Sequence, residues 1–207
     1  MKKKSLFFLL TIIYTLLFGL LFSIVIISMH FDIPVGNFTR DPLAVLGGHH
    51  LIGVISNIGI LFWSATAAIC FFASKIYLDK TEFSTFLLFS SLLTFLLLFD
   101  DLFQLHERID NYLHIHEYTA YIVYFILISI YFVKFSKIIL STEYMVLFIA
   151  CCFLSLSVLA DMLLSYFITQ RDIKFLIEDG LKLFGIVTWF IYFIRTSFIY
   201  IQQIKNE

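Results

Sequence analysis

Long apolar stretches separated by short polar breaks run the length of the chain. Residues 6–28, 51–77, 83–105, 118–140, 144–167 and 176–198 form six such runs. Each supplies about the 20 residues that a helix needs to cross the hydrocarbon layer of a bilayer. The pattern predicts an all-α fold, a polytopic membrane bundle of six transmembrane helices forming one integral membrane domain over residues 1–207. The connections are short except for 29–50, where Pro34, Gly36, Pro42, Gly47 and Gly48 predict an irregular loop.

Composition sharpens this picture. The chain is 61% hydrophobic and 14% charged, with a mean hydropathy of +0.97, which excludes an ordinary soluble domain. With 26 Phe and only 2 Pro, unbroken helices fit better than the alternating strands of a barrel. A net charge of -1 and scattered basic residues exclude a nucleic-acid surface. Cys70, Cys151 and Cys152 fall within apolar runs without CxxC spacing and read as packing residues. The basic start MKKK followed by an apolar stretch resembles a signal peptide. The stretch is long enough to span and no small-x-small site follows it, so it reads as a retained first helix.

Placing both termini in the cytoplasm puts nine Lys and Arg residues inside and leaves Arg40, Arg108, Arg171 and Lys174 outside. The excess follows the positive-inside rule and predicts a plasma-membrane protein, in the inner membrane if the source is bacterial. All six histidines and eleven of the fifteen acids then fall at the outer ends of spans or in outer loops. Histidine plays no part in that rule, so its segregation is a separate observation.

The segment FDDLFQLHERIDNYLHIHE, residues 99–117, concentrates acids and imidazoles at this outer face. On a continuous helix Asp100, Gln104, Glu107, Asn111 and His114 would form one polar stripe. A turn at Asp110 and Asn111 would instead fold HIHE back against the end of the third span. On the second span, His50, Asn57 and Ser64 share a face. On the fifth, Asp161 lies with Ser157 and Ser165. On the sixth, Glu178, Lys182, Gly185 and Trp189 share a face, with Asp179 adjacent. Ionised groups in lipid are costly, so these should turn inward and find partners. Lys182 is the expected partner of Glu178 or Asp161, and with Asp179 forms the predicted ion-pair group.

The remaining carboxylates outnumber the cations, and a divalent metal would balance them. Mixed carboxylate and imidazole ligands suit zinc or iron, with His50, Asp100, His106, Glu107, His114 and Glu178 as candidate ligands. No HExxH, paired ExxH or EF-hand motif is present. Such a metal would acidify a bound water, with Asp101 or Glu107 taking its proton and Asp161 as a second candidate catalytic acid. A metal-dependent hydrolase of a lipid or other amphiphile, with substrate entering from the outer leaflet, is the enzyme this predicts. The arrangement is similar to that of the ceramidase and adiponectin-receptor group of membrane hydrolases, which place histidines and an aspartate around zinc at one membrane face. The chain departs from that group in having six spans, no HxxxH in the last span and no matched serine and histidine pair.

Other readings use the same residues. Asp161, Glu178 and Lys182 could relay protons or bind an ion in a transporter or channel. His50 with His106 or His114 could ligate haem in an electron-transfer protein, and a non-catalytic assembly subunit is a further class. Each residue also has a structural reading: the segment after Phe99 as a solvated helix end, Asp161 with Lys182 as an ion pair, and Glu178 and Asp179 as acids favoured at a helix N-terminus. Asn37, Phe38 and Thr39 form a glycosylation sequon. The membrane lipid is the expected partner.

Overall fold

The computed structural model describes residues 3–40, 51, 53–76, 82–105, 117–167 and 170–205. Among these residues the chain forms seven helices: α1 (Lys3–Phe31), α2 (Gly36–Thr39), α3 (Val54–Lys75), α4 (Glu82–Phe103), α5 (Glu117–Ser141), α6 (Tyr144–Phe167) and α7 (Arg171–Lys205). All but α2 are long and apolar enough to cross a membrane. Six of the six apolar runs therefore become helices, and the all-helical expectation holds.

The ends differ from the hydropathy boundaries for local reasons. After Phe31 the chain takes a left-handed turn at Asp32 (φ 53°), and the amide of Ile33 donates back to Ser28 O at 3.1 Å. This pairing closes the last turn of a helix, and Pro34 prevents its continuation. The loop expected to be irregular then contains α2, whose Phe38 and Thr39 are buried. The Thr39 hydroxyl donates to Val35 O, and the Asn37 carbonyl accepts from the Gly53 amide. The sequon threonine is thus enclosed in packed structure, which disfavours its use as a modification site. At the other end of the chain α7 begins at Arg171, earlier than the apolar run, with Asp172 in its first turn where negative charge is favoured.

Two compact units are distinguished, Met1–Ile58 with Ala150–Gly185, and Gly59–Ile149 with Ile186–Glu207. In the first, α6 runs antiparallel to α7: Leu154 meets Gly185, and further along α6 Asp161 meets Lys174 nearer the start of α7. Gly185 permits this approach, since a Cβ there would lie 2.7 Å from Leu154 Cγ and 3.1 Å from its backbone nitrogen. Small residues at such crossings let transmembrane helices pack backbone to backbone. The Tyr14 ring of α1 packs edge-on against Phe153 and Phe184, and Gly180 receives Leu21. Phe175 of α7 lies against Gly36 of α2, with the Arg40 guanidinium 4.5 Å from the ring centroid.

In the second unit α4 is the centre. It is antiparallel to α3, with Ser91 donating to Ala67 O and Ser84 to Ser74 O, both at 2.8 Å. It is antiparallel to α5, where Ser90 meets the Tyr131 hydroxyl at 2.6 Å and Asp100 meets Tyr124 at 2.7 Å. It is antiparallel to α7 as well: Trp189 Nε1 donates to Thr94 Oγ1 at 3.0 Å, and Phe83 stacks on Tyr200. Phe86, fully buried, is ringed by Tyr131, Phe135 and Phe193. In lipid there is no hydrophobic drive to bring helices together, so dispersion between these rings and the serine, threonine and tryptophan hydrogen bonds hold the bundle. The short α5–α6 turn is fixed to α7, because Arg195 donates two bonds to the Glu143 carboxylate and Thr142 pairs with Tyr192.

Candidate functional site

Among the described residues, the acids singled out from sequence fall at two places, one in each unit. In the second unit Asp100 and Asp101 occupy the last turn of α4 and are both buried. Their helix ends at Phe103, and Gln104 takes a left-handed conformation (φ 51°). The helical face that begins at Asp100 is therefore interrupted at Gln104. That finding corrects the first of the two geometries considered, since a residue with positive φ breaks the helical register. The Tyr124 hydroxyl of α5 donates to Asp100 Oδ1. This bond ties the Asp100 carboxylate to the antiparallel neighbour α5.

Electrostatically this is an unusual place for acids. The C-terminal end of a helix carries partial negative charge from its free carbonyls, and the last turn of α4 contains no basic residue. Two adjacent carboxylates at such an end repel one another, and a cation beside them offsets that repulsion.

In the first unit Lys174 Nζ lies 3.1 Å from Asp161 Oδ1, linking α7 to α6. One turn further along α7 the Ser157 hydroxyl donates to the backbone carbonyl of Glu178 at 2.9 Å. Asp161, Asp179, Lys174 and Lys182 all act electrostatically on Glu178. These groups form a charged seam between α6 and α7. Lys174 was not among the residues singled out from sequence. Its signal was present only as a basic residue flanking a span, and the early start of α7 is what turns it toward Asp161.

The remaining candidates are distributed as follows. His50, His106, Glu107 and His114 lie outside the described residues, as do His49 and His116. Asp100 and Asp101 belong to the second unit, and Asp161, Glu178, Asp179 and Lys182 to the first. His30 is exposed at the end of α1, with its ring against Phe31. Among the described residues no group of three or more His, Cys, Asp or Glu side chains is placed to hold a metal ion.

Composition and six long apolar helices together define the chain as a helical integral membrane protein. It belongs to the family described as domain of unknown function DUF8692, whose model matches residues 6–196. No curated protein and no solved structure matches it.

Proposed function

We propose that this protein spans the plasma membrane with both termini cytoplasmic and uses the acid-rich end of α4 to bind a divalent cation, zinc or iron. The observation that carries the reading is the burial of Asp100 and Asp101 together in the last turn of α4, with Tyr124 bonded to the first of them. His106, Glu107 and His114 follow in sequence and supply the imidazole and carboxylate chemistry that such a metal prefers. Asp101 is the candidate base for a metal-bound water, and a lipid or amphiphile reached from the bilayer is the substrate class. Elemental analysis of purified protein tests the reading: bound zinc or iron that falls in folded Asp100→Asn supports it, and unchanged content contradicts it. Orientation is tested separately with Leu105→Cys in a background lacking the native cysteines. Labelling from the outer side supports the arrangement, and labelling only from the cytoplasm reverses it.

A second reading rests on the contact between Lys174 and Asp161. A carboxylate and an amine facing each other between two membrane helices, beside Glu178 and Lys182, form the kind of pair through which a proton or ion is exchanged. Under this reading the protein is an ion- or proton-coupled transporter. Cation flux into liposomes that Asp161→Asn abolishes supports it; flux equal to that of empty liposomes for the wild-type protein contradicts it.

A further inference from the structure

Two lysines in the second unit lie on an exposed face of a membrane span. Lys134 and Lys137 fall inside the membrane span Thr119–Ser141, and both are exposed. The inward face of α5 is set by Tyr131, Phe135 and Ile139, which are buried at four-residue spacing. The outward face carries Ile130, Val133 and Leu140, of which Val133 is 78% exposed. The lysines therefore project among side chains that meet acyl chains.

Charge at such a place requires a counter-charge. Among the described residues neither lysine forms an ion pair. Lys134 Nζ lies 3.9 Å from the ring centroid of Phe89 on α4, itself 40% exposed, and 5.3 Å from that of Phe135. A ring face attracts an ammonium without neutralising it, and leaves N–H donors free for an anion. Arg195 of the same unit is already engaged by Glu143.

Depth and spacing narrow the anion. Lys137 precedes the end of α5 at Ser141 by roughly 6 Å, taking ~1.5 Å per residue, and Lys134 lies just before the kink at Phe135. From there a flexible lysine reaches the phosphate level by bending toward the interface. The two flank Phe135, where α5 is kinked (φ -106°, ψ 16°), and both are exposed on the outward side, so both can approach a single phosphodiester. Two cations without an acid between them favour a headgroup of net negative charge over a zwitterionic one, whose own amine would be repelled.

We propose that Lys134 and Lys137, with the Phe89 ring beside them, form a site for the headgroup of an anionic phospholipid on the outward face of α5. The full-length protein in nanodiscs tests this. In mixtures of phosphatidylglycerol and phosphatidylcholine, native mass spectrometry should show phosphatidylglycerol retained in preference, by about fivefold for each lysine engaged. Lys134→Gln with Lys137→Gln should remove the preference, whereas Lys134→Arg with Lys137→Arg and the separate Lys75→Gln should keep it. Equal retention of the two lipids by the wild-type protein overturns the proposal, as does an unchanged preference in the folded double variant. If the double variant does not fold, Lys137→Gln alone must reduce the preference, and no reduction overturns it. Inorganic phosphate should give no protection against thermal unfolding; protection equal to that given by phosphatidylglycerol would contradict a lipid site.

Discussion

The Tyr124 hydroxyl donates to Asp100 Oδ1 at 2.7 Å, joining α5 to the last turn of α4, where Asp100 and Asp101 are 8% and 7% exposed. This bond holds one of two adjacent acids at a helix end whose own dipole disfavours them. Tyr124→Phe removes the donor and keeps the ring. A hydrogen bond to a charged group contributes about 1.5–3 kcal/mol, so the variant should unfold at lower denaturant than wild type by roughly that amount. Reversible unfolding in mixed micelles measures it, and an unchanged midpoint would show that Asp100 does not depend on the tyrosine.

The Asp161 and Lys174 pair predicts asymmetric effects. Removing one partner deprives the other of its opposite charge, whereas removing both removes the pair together. Asp161→Asn and Lys174→Met should each destabilise the protein, and the double variant should be more stable than the sum of the two losses implies. A double-mutant cycle on thermal unfolding reads the coupling directly. Additive losses would mean that the 3.1 Å contact contributes little.

Gly185 marks a close approach of α6 to α7. A Cβ there meets Leu154 Cγ at 2.7 Å and the backbone nitrogen at 3.1 Å, and backbone cannot rotate away. Gly185→Ala should therefore cost about 1–3 kcal/mol, as overpacking does elsewhere. At Gly59 a Cβ would meet only the tip of Ile186 at 3.0 Å, so Gly59→Ala should be milder. Paired unfolding measurements rank the two, and the reverse order would refute this packing.

Trp189 and Thr94 supply a hydrogen bond between two fully buried side chains. Thr94→Val preserves shape and leaves the indole N–H without its acceptor. Within a membrane bundle such pairs average about 0.6 kcal/mol and reach about 1.7 kcal/mol. A cycle with Trp189→Phe should give coupling in that range, and zero coupling would assign Trp189 to packing alone.

The hydropathy pattern contained the six long helices because apolar runs of that length have few other folds available. It did not contain α2, since four residues carry no period, and Phe38 is buried by contacts that no local pattern announces. The end of the third span was legible to within two residues, but the positive φ of Gln104 that closes it leaves no compositional trace. Charge misled in the opposite direction at Arg171, Asp172 and Lys174. They resemble a loop by composition, yet they form the first turn of α7 and bring Lys174 to Asp161. Asp100 and Asp101 were legible as acids within apolar sequence, but their burial and the tyrosine bonded to Asp100 depend on the antiparallel register of α4 and α5.

Cation binding at the end of α4 is tested most directly by equilibrium dialysis of the nanodisc-embedded protein against zinc and against ferrous iron. The wild-type protein should take up one of these ions saturably, and the folded variant carrying Asp100→Asn with Asp101→Asn should lose that uptake. Wild-type protein that binds neither ion, or a double variant that binds as much as wild type, would contradict the account.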